Sequence, residues 1–188
     1  LGLSPTGEGE VLVSGAAGGV GSVAVALLAA RGYRVAASTG RAEAHAHLRE
    51  LGATTIVDRA ELEAPPTRPL ASERWAGAID NVGGTTLANV LAQLHYRASC
   101  ASVGLAGGAN FEASVIPFVI RGVKLLGIDS ATSPSEQRMA AWNRLAREMP
   151  GKALERMTTV VALEEVPDLA GDILSGRVRG RTVVDVNA

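Results

Sequence analysis

Runs of apolar residues change length along this chain in a regular rhythm: short and rich in Val and Ile in one stretch, longer and rich in Ala and Leu in the next. The first pair is a strand at 11–13 and a helix at about 19–31 that Gly32 stops, after which residues 33–38 supply a second strand. A helix at about 42–51, capped by Gly52, leads to a third strand at 55–58. The rhythm lapses over 59–74, where Pro65, Pro66 and Pro69 mark a surface connection with at most a helical turn. It resumes with a strand at 76–82, a helix at 87–94 opened by Gly83 and Gly84, and a strand at 98–103 that ends in Gly104-Leu-Ala-Gly-Gly108. A short helix around 117–121 and a sixth strand at 123–128 follow. Ser133 as cap and Pro134 as first residue suit a long helix with a buried stripe of Met139, Trp142, Leu145 and Ala146, ended by Pro150-Gly151. A strand at 158–163, a helix from Pro167 to about 175 and a strand at 182–186 close the chain. Strict alternation of strand and helix predicts the α/β class, a doubly wound parallel sheet with helices on both faces.

The break between the first strand and its helix carries the chemistry. Gly15, Ala17, Gly18, Gly19, Val20 and Gly21 stand where a dinucleotide-binding unit turns from strand into helix. Gly18 lets backbone approach a pyrophosphate, Gly21 lets the helix pack closely on its strand, and free N–H groups at the helix start attract the anion. In a NAD-binding unit an acidic residue about 20 positions on accepts the ribose hydroxyls. Here that place holds Ser38, Thr39, Gly40 and Arg41, hydroxyls and a guanidinium suited to a 2′-phosphate, so the pattern favours NADP(H). Arg59, at the end of the third strand, is either an ordinary loop arginine or a second contact to adenine or the same phosphate. Gly104, Leu105, Asp129 and Ser130 fall on the same carboxyl edge, where they could face the nicotinamide half.

Composition narrows the class without adding a site. Of 188 residues, 47% are hydrophobic and 3% aromatic, which suits parallel strands covered by aliphatic helices. A net charge of −1 offers no field for nucleic acid or an anionic membrane. One cysteine, Cys100, excludes an internal disulfide and a four-cysteine zinc site, and inside an apolar strand it reads as a core residue. A cytoplasmic home is expected, with no membrane-spanning run and no signal peptide. The opening Leu1-Gly2-Leu3-Ser4-Pro5 reads as the tail of an earlier element, so the chain is expected to be a piece of a longer one. Neither Tyr33 nor Tyr96 has the lysine four residues on that short-chain dehydrogenases use, and no Gly-Lys-Ser/Thr follows the glycine turn. His45, His47 and His95 read as surface residues, and no Ser/His/Asp set assembles.

With these residues in place, the chain resembles the coenzyme-binding part of zinc-independent medium-chain dehydrogenase/reductases of the quinone oxidoreductase branch, and more narrowly the acrylyl-CoA reductase family. The matching segments include Gly15-Ala-Ala-Gly-Gly-Val-Gly21, Ser38-Thr-Gly-Arg41, Leu51-Gly-Ala53, Trp75-Ala-Gly-Ala-Ile-Asp-Asn-Val-Gly-Gly84, Gly104-Leu-Ala-Gly-Gly108, Pro117-Phe-Val-Ile-Arg-Gly122, Leu126-Gly-Ile-Asp-Ser130 and Val178-Arg-Gly-Arg-Thr182. The resemblance implies a six-stranded Rossmann domain over 1–157. It also implies a segment, 158–188, that returns to a catalytic domain mostly ahead of Leu1. It implies NADPH contacts at 18–21, 38–41 and Arg59, with Leu105, Ile120 and Ser130 toward the nicotinamide and Arg181 as a further candidate. Asn81 departs from the Thr often found in the family. The reaction implied is hydride transfer from NADPH to the β-carbon of a 2-enoyl-CoA such as acrylyl-CoA, or to a quinone, without metal. The catalytic groups remain unassigned, and a non-catalytic NADPH-binding module is the other reading.

The sixth strand, 123–128, lies at a sheet edge in the order expected of such domains, and its free backbone groups, Leu126 among them, need a partner. A homodimer through that edge is expected, in line with the family, with Lys124 and Arg121-Gly122 as the features that would instead protect a monomer.

Overall fold

The computed structural model describes residues 3–5, 7–65 and 68–188; the expectations for Leu1-Gly2 and Pro66 lie outside them. Strands β1 (Glu10–Val13), β2 (Val35–Thr39), β3 (Thr55–Asp58), β4 (Trp75–Asp80), β5 (Ser99–Ser102) and β6 (Lys124–Gly127) form one sheet in the order β3-β2-β1-β4-β5-β6, with every pair parallel. All carboxyl ends therefore share one edge. The order reverses between β1 and β4, the place where such sheets open a crevice.

Period-two alternation in buried strands feeds two cores. Leu12, Ala36, Val57, Ala78 and Cys100 face one side, where they meet Trp75 and Leu87, Val90, Leu91 and Leu94 of α4 (Gly84–Gln93) and its flank. Val13, Val35 and Ala37 face the other, against Ala24, Val25 and Ala26 of α1 (Gly19–Ala30) and Leu48 of α2 (His45–Glu50), which follows a 3-10 turn at Ala42–Ala44. The small side chains of α1 let it lie close to the sheet. Short helices α3 (Arg59–Glu63) and α5 (Ile116–Arg121) complete the crossovers. Asp58 caps α3 by accepting from Ala60 N at 2.9 Å. Among the described residues no helix is long and apolar enough to cross a membrane.

The second half of the chain departs from the pattern-based reading. Helix α6 (Ser135–Glu148) starts after Pro134 without a Ser133 side-chain cap, and it buries no residue. Met139 and Trp142 of its apolar stripe are 58% and 59% exposed, because no element of the described chain lies over that face. As expected, α6 ends just ahead of Pro150-Gly151, but the same pair also opens a further helix that the pattern did not announce, α7 (Gly151–Met157), with Pro150 as its N-cap. Met157 is buried against α1. Strands β7 (Thr158–Ala162) and β8 (Arg181–Asp185), joined through α8 (Val166–Leu174), pair only with each other, in parallel. Strand β4 stops at Asp80 rather than 82, because its carboxylate turns the chain by accepting from Val82 N and Gly83 N. In β6, Lys124 N and Ile128 N donate to β5, so in a parallel pair Leu126 also faces inward. The outward edge donors are Leu125 and Gly127, not Leu126.

Candidate functional site

At the end of β1 the chain leaves the sheet through Gly15, in the left-handed region at φ +57°, and doubles back so that Gly18 N donates to Gly15 O at 3.0 Å. Gly21 lies so close beneath this turn that a Cβ would overlap the Gly15 carbonyl oxygen and sit 2.6 Å from Ala16 Cα. The turn's other side is tied to β2, where Ala16 N donates to Ser38 O at 3.0 Å. Helix α1 then begins with no side-chain cap and no acidic residue in its first turn. Its leading amides have no partner within the helix and carry the positive end of the helix dipole. A bare, glycine-lined helix start of this kind is fitted to a pyrophosphate.

Of the three candidate arginines, Arg181 lies at that start, while Arg59 and Arg41 stand by the loop after β2. The guanidinium of Arg181, at the head of β8, lies against Gly19, 2.6 Å from where a Cβ would stand. Gly180 N fixes its approach by donating to Ala17 O at 3.1 Å. Arg59 lies over Gly40, its Nε 3.0 Å from a Cβ position there, while pairing with Glu63 at 3.1 Å. Arg41 follows Thr39, whose Oγ1 accepts from Arg41 N at 3.2 Å. Its Nη1 donates to Gly176 O at 2.7 Å and Val178 O at 2.9 Å, contacts that no local pattern announces. Among the described residues its Nε and Nη2 carry no hydrogen bond. Ser38 and Thr39 are buried.

A second group extends the site along the carboxyl edge. Ser14 Oγ donates to Asp80 Oδ1 at 2.6 Å and accepts from Asn81 N at 2.9 Å, while Asn81 Nδ2 donates to Ser14 O at 2.7 Å. Asp80 is wholly buried. Gly104 presses on Asn81 from the next loop, where a Cβ would stand 2.6 Å from Asn81 O. Leu105 beside it is 66% exposed, an apolar surface on the edge of the crevice. Sequence reasoning left Asn81 uninterpreted and passed over Ser14 and Asp80. Their signal was available: two adjacent apolar strands, each ending in a polar residue.

The remaining candidates divide. Ser130 is exposed beyond the carboxyl end of β6, and its carbonyl accepts from Arg138 at 3.1 Å. Ile120 does not reach that edge. It precedes Arg121, whose carbonyl accepts from Arg97 N just ahead of β5, so α5 delivers it toward the amino ends of the strands. His47 is a correction of another kind: it is 4% exposed, with Nε2 unpartnered among the described residues. Burial, aided by the Arg179 charge, holds its pKa below the ordinary value. Burial also pushes the Cys100 thiol far above its ordinary value, with the Asp80 charge adding to it.

The described residues hold no group of three or more His, Cys, Asp or Glu side chains that could bind a metal ion. The zinc-binding dehydrogenase family matches residues 19–147. The acrylyl-CoA reductase AcuI of Ruegeria pomeroyi is 58% identical over 187 residues. The yhdH oxidoreductase of Salmonella enterica, solved in complex with NADP, superimposes with a TM-score of 0.92 at 46% identity, covering 95% of this chain and 54% of that one. Bacillus subtilis YhfP, named a quinone oxidoreductase, is 45% identical over 184 residues. Its structure with NAD bound gives a TM-score of 0.92 over 98% of this chain and 56% of that one. The match to the Ruegeria protein takes in 100% of this chain and 56% of that protein, so the chain spans about half the length of the curated relatives it matches.

Proposed function

Since the chain belongs to the zinc-binding dehydrogenase family, we propose that it is the NADP(H)-binding part of a reductase that saturates the C=C bond of a 2-enoyl-CoA such as acrylyl-CoA. The observation that carries this reading is the bare start of α1 with Arg181 over Gly19, tied to a β2 end that has no acidic residue and is flanked by Arg41 and Arg59. Two of the solved neighbours hold NADP or NADPH and one holds NAD, which supports NADP(H). Arg41 and Arg59 favour the 2′-phosphate.

When bound, NADPH would supply the hydride. The chain's own residues do the rest of the binding work. The amides of α1 and Arg181 receive the pyrophosphate, the β2 loop holds the adenosine phosphate, and the Leu105 edge packs against the nicotinamide half. The groups that polarise the substrate carbonyl belong, on this reading, to residues outside the chain, with 1–157 as the cofactor domain and 158–188 returning to the catalytic one. The family's name notwithstanding, we assign the reaction no zinc, on the resemblance of the chain's motifs to the zinc-independent quinone oxidoreductase branch. The same reading has the protein as a cytoplasmic homodimer joined through β6, with no nucleic acid or membrane partner.

Quinone reduction is the second reading, favoured by the name of the Bacillus relative. Assay of NADPH oxidation by the full-length protein, with acrylyl-CoA and a benzoquinone in parallel and a chelator present, separates the two. Turnover of the enoyl-CoA with chelator present is expected. Activity on the quinone alone overturns the substrate, and loss of activity on chelation overturns the metal-free assignment. NADPH binding without turnover of either compound would leave a binding module.

A further inference from the structure

The contact between Arg41 and the C-terminal turn has a built geometry. Helix α8 is closed just past its end by Gly176, in the left-handed region at φ +69°. Gly176 N donates to Ile173 O at 3.0 Å and Arg177 N to Asp172 O at 2.8 Å, the paired closure of a glycine C-cap. Arg177 pairs with Asp172 and stiffens the same turn. With the amides of 176 and 177 turned back into the helix, the carbonyls of Gly176 and Val178 are presented together to Arg41 Nη1. The chain then runs to Gly180, pinned on Ala17 O, and to Arg181 over Gly19. The turn and the glycine loop are therefore two sides of one site.

We propose that residues 176–178 are a positioning element for cofactor selectivity. Their carbonyls hold one nitrogen of the Arg41 guanidinium, leaving its Nε and Nη2 donors for the 2′-phosphate. A free arginine would lose side-chain entropy on gripping the phosphate; one already held by two carbonyls does not. Selectivity for NADP(H) over NAD(H) is then set partly by a glycine 135 residues further along the chain from Arg41. This inference rests on the proposed NADP(H) reading.

The test is titration of NADPH and NADH into the full chain and its variants. Gly176→Val, strained at positive φ, displaces the carbonyls, whereas Gly176→Asn tolerates the left-handed conformation and preserves them. The expected result for Gly176→Val is NADPH binding weakened about tenfold, the loss of one charge-assisted hydrogen bond, with NADH binding unchanged. Gly176→Asn is expected to keep the wild-type ratio, and Gly176→Val is expected to change nothing further in an Arg41→Ala background. An unchanged ratio in Gly176→Val, equal weakening of both cofactors, or an undiminished effect without Arg41 would overturn the positioning role. Equal affinities in the wild-type chain overturn the cofactor reading itself, and the positioning role with it.

Discussion

Ser14 and Asp80 join the ends of the two central strands by a 2.6 Å hydrogen bond in which both residues are buried. The carboxylate also accepts from Gly83 N at 2.8 Å, and Val82 N lies 3.4 Å from it. Removing it strands buried donors on both strands. Asp80→Ala is expected to cost about 2–4 kcal/mol of stability and Ser14→Ala about 1–2 kcal/mol. Urea unfolding measures both, and a loss below about 0.5 kcal/mol for Asp80→Ala would remove the network from the account of the fold.

Arg41 and Arg59 both stand by the β2 loop but should not count equally. Arg41→Ala is expected to weaken NADPH binding by about 1.5–3 kcal/mol, the loss of a charge-assisted contact. Arg59 is exposed and already paired with Glu63, so Arg59→Ala should cost about 1 kcal/mol or less. Calorimetric titration ranks them, and the reverse order would move the 2′-phosphate toward β3.

His47 predicts a pH dependence of stability. Its folded pKa is lowered by burial and by Arg179, against a smaller opposing effect of Glu50, while the unfolded imidazole titrates near its ordinary 6.5. Below about pH 6.5 the unfolded chain therefore binds more protons than the folded one. The stability that neutral His47 confers is complete above that pH and declines as the pH falls toward the folded pKa. His47→Leu should flatten the urea midpoint between about pH 7 and pH 5 relative to wild type. An identical slope in the two proteins would show that other groups set it.

The β6 edge is tested at the residue that offers an outward donor. Gly127 is exposed, and a Cβ there meets nothing within 4 Å, so Gly127→Pro removes an edge amide without crowding the interior. Light scattering is expected to give a dimer for wild type and a monomer for Gly127→Pro. A monomeric wild type at high concentration would end the edge-pairing reading.

The sheet was legible because parallel strands buried on both faces are written as contiguous apolar runs, and because glycine must follow β1 if Gly21 is to sit under Gly15. The carboxyl-edge site followed from that order alone. Other features were less visible for physical reasons. The stripe of α6 has helical spacing, yet spacing reports only that a face can be buried and not that anything in this chain covers it. Pro150-Gly151 carries the same signal for a helix's start as for its end. Ile120 lies on the right segment but at the far end of a six-residue helix, a distinction no local pattern carries. The hold of Gly176 and Val178 on Arg41 spans most of the chain and uses backbone carbonyls, which every residue possesses and no sequence advertises.

Cys100 sits wholly buried in β5, between Ala78 and Leu125, and is the chain's single thiol. Its side chain faces the core under α4, so a reagent can reach it only when that layer lifts from the sheet, and this chain contains its own chemical clock. The rate at which the thiol is labelled reads the opening of this core directly, with no engineered probe and no second thiol among these 188 residues. Any ligand that binds the closed state must slow that clock in proportion to its saturation.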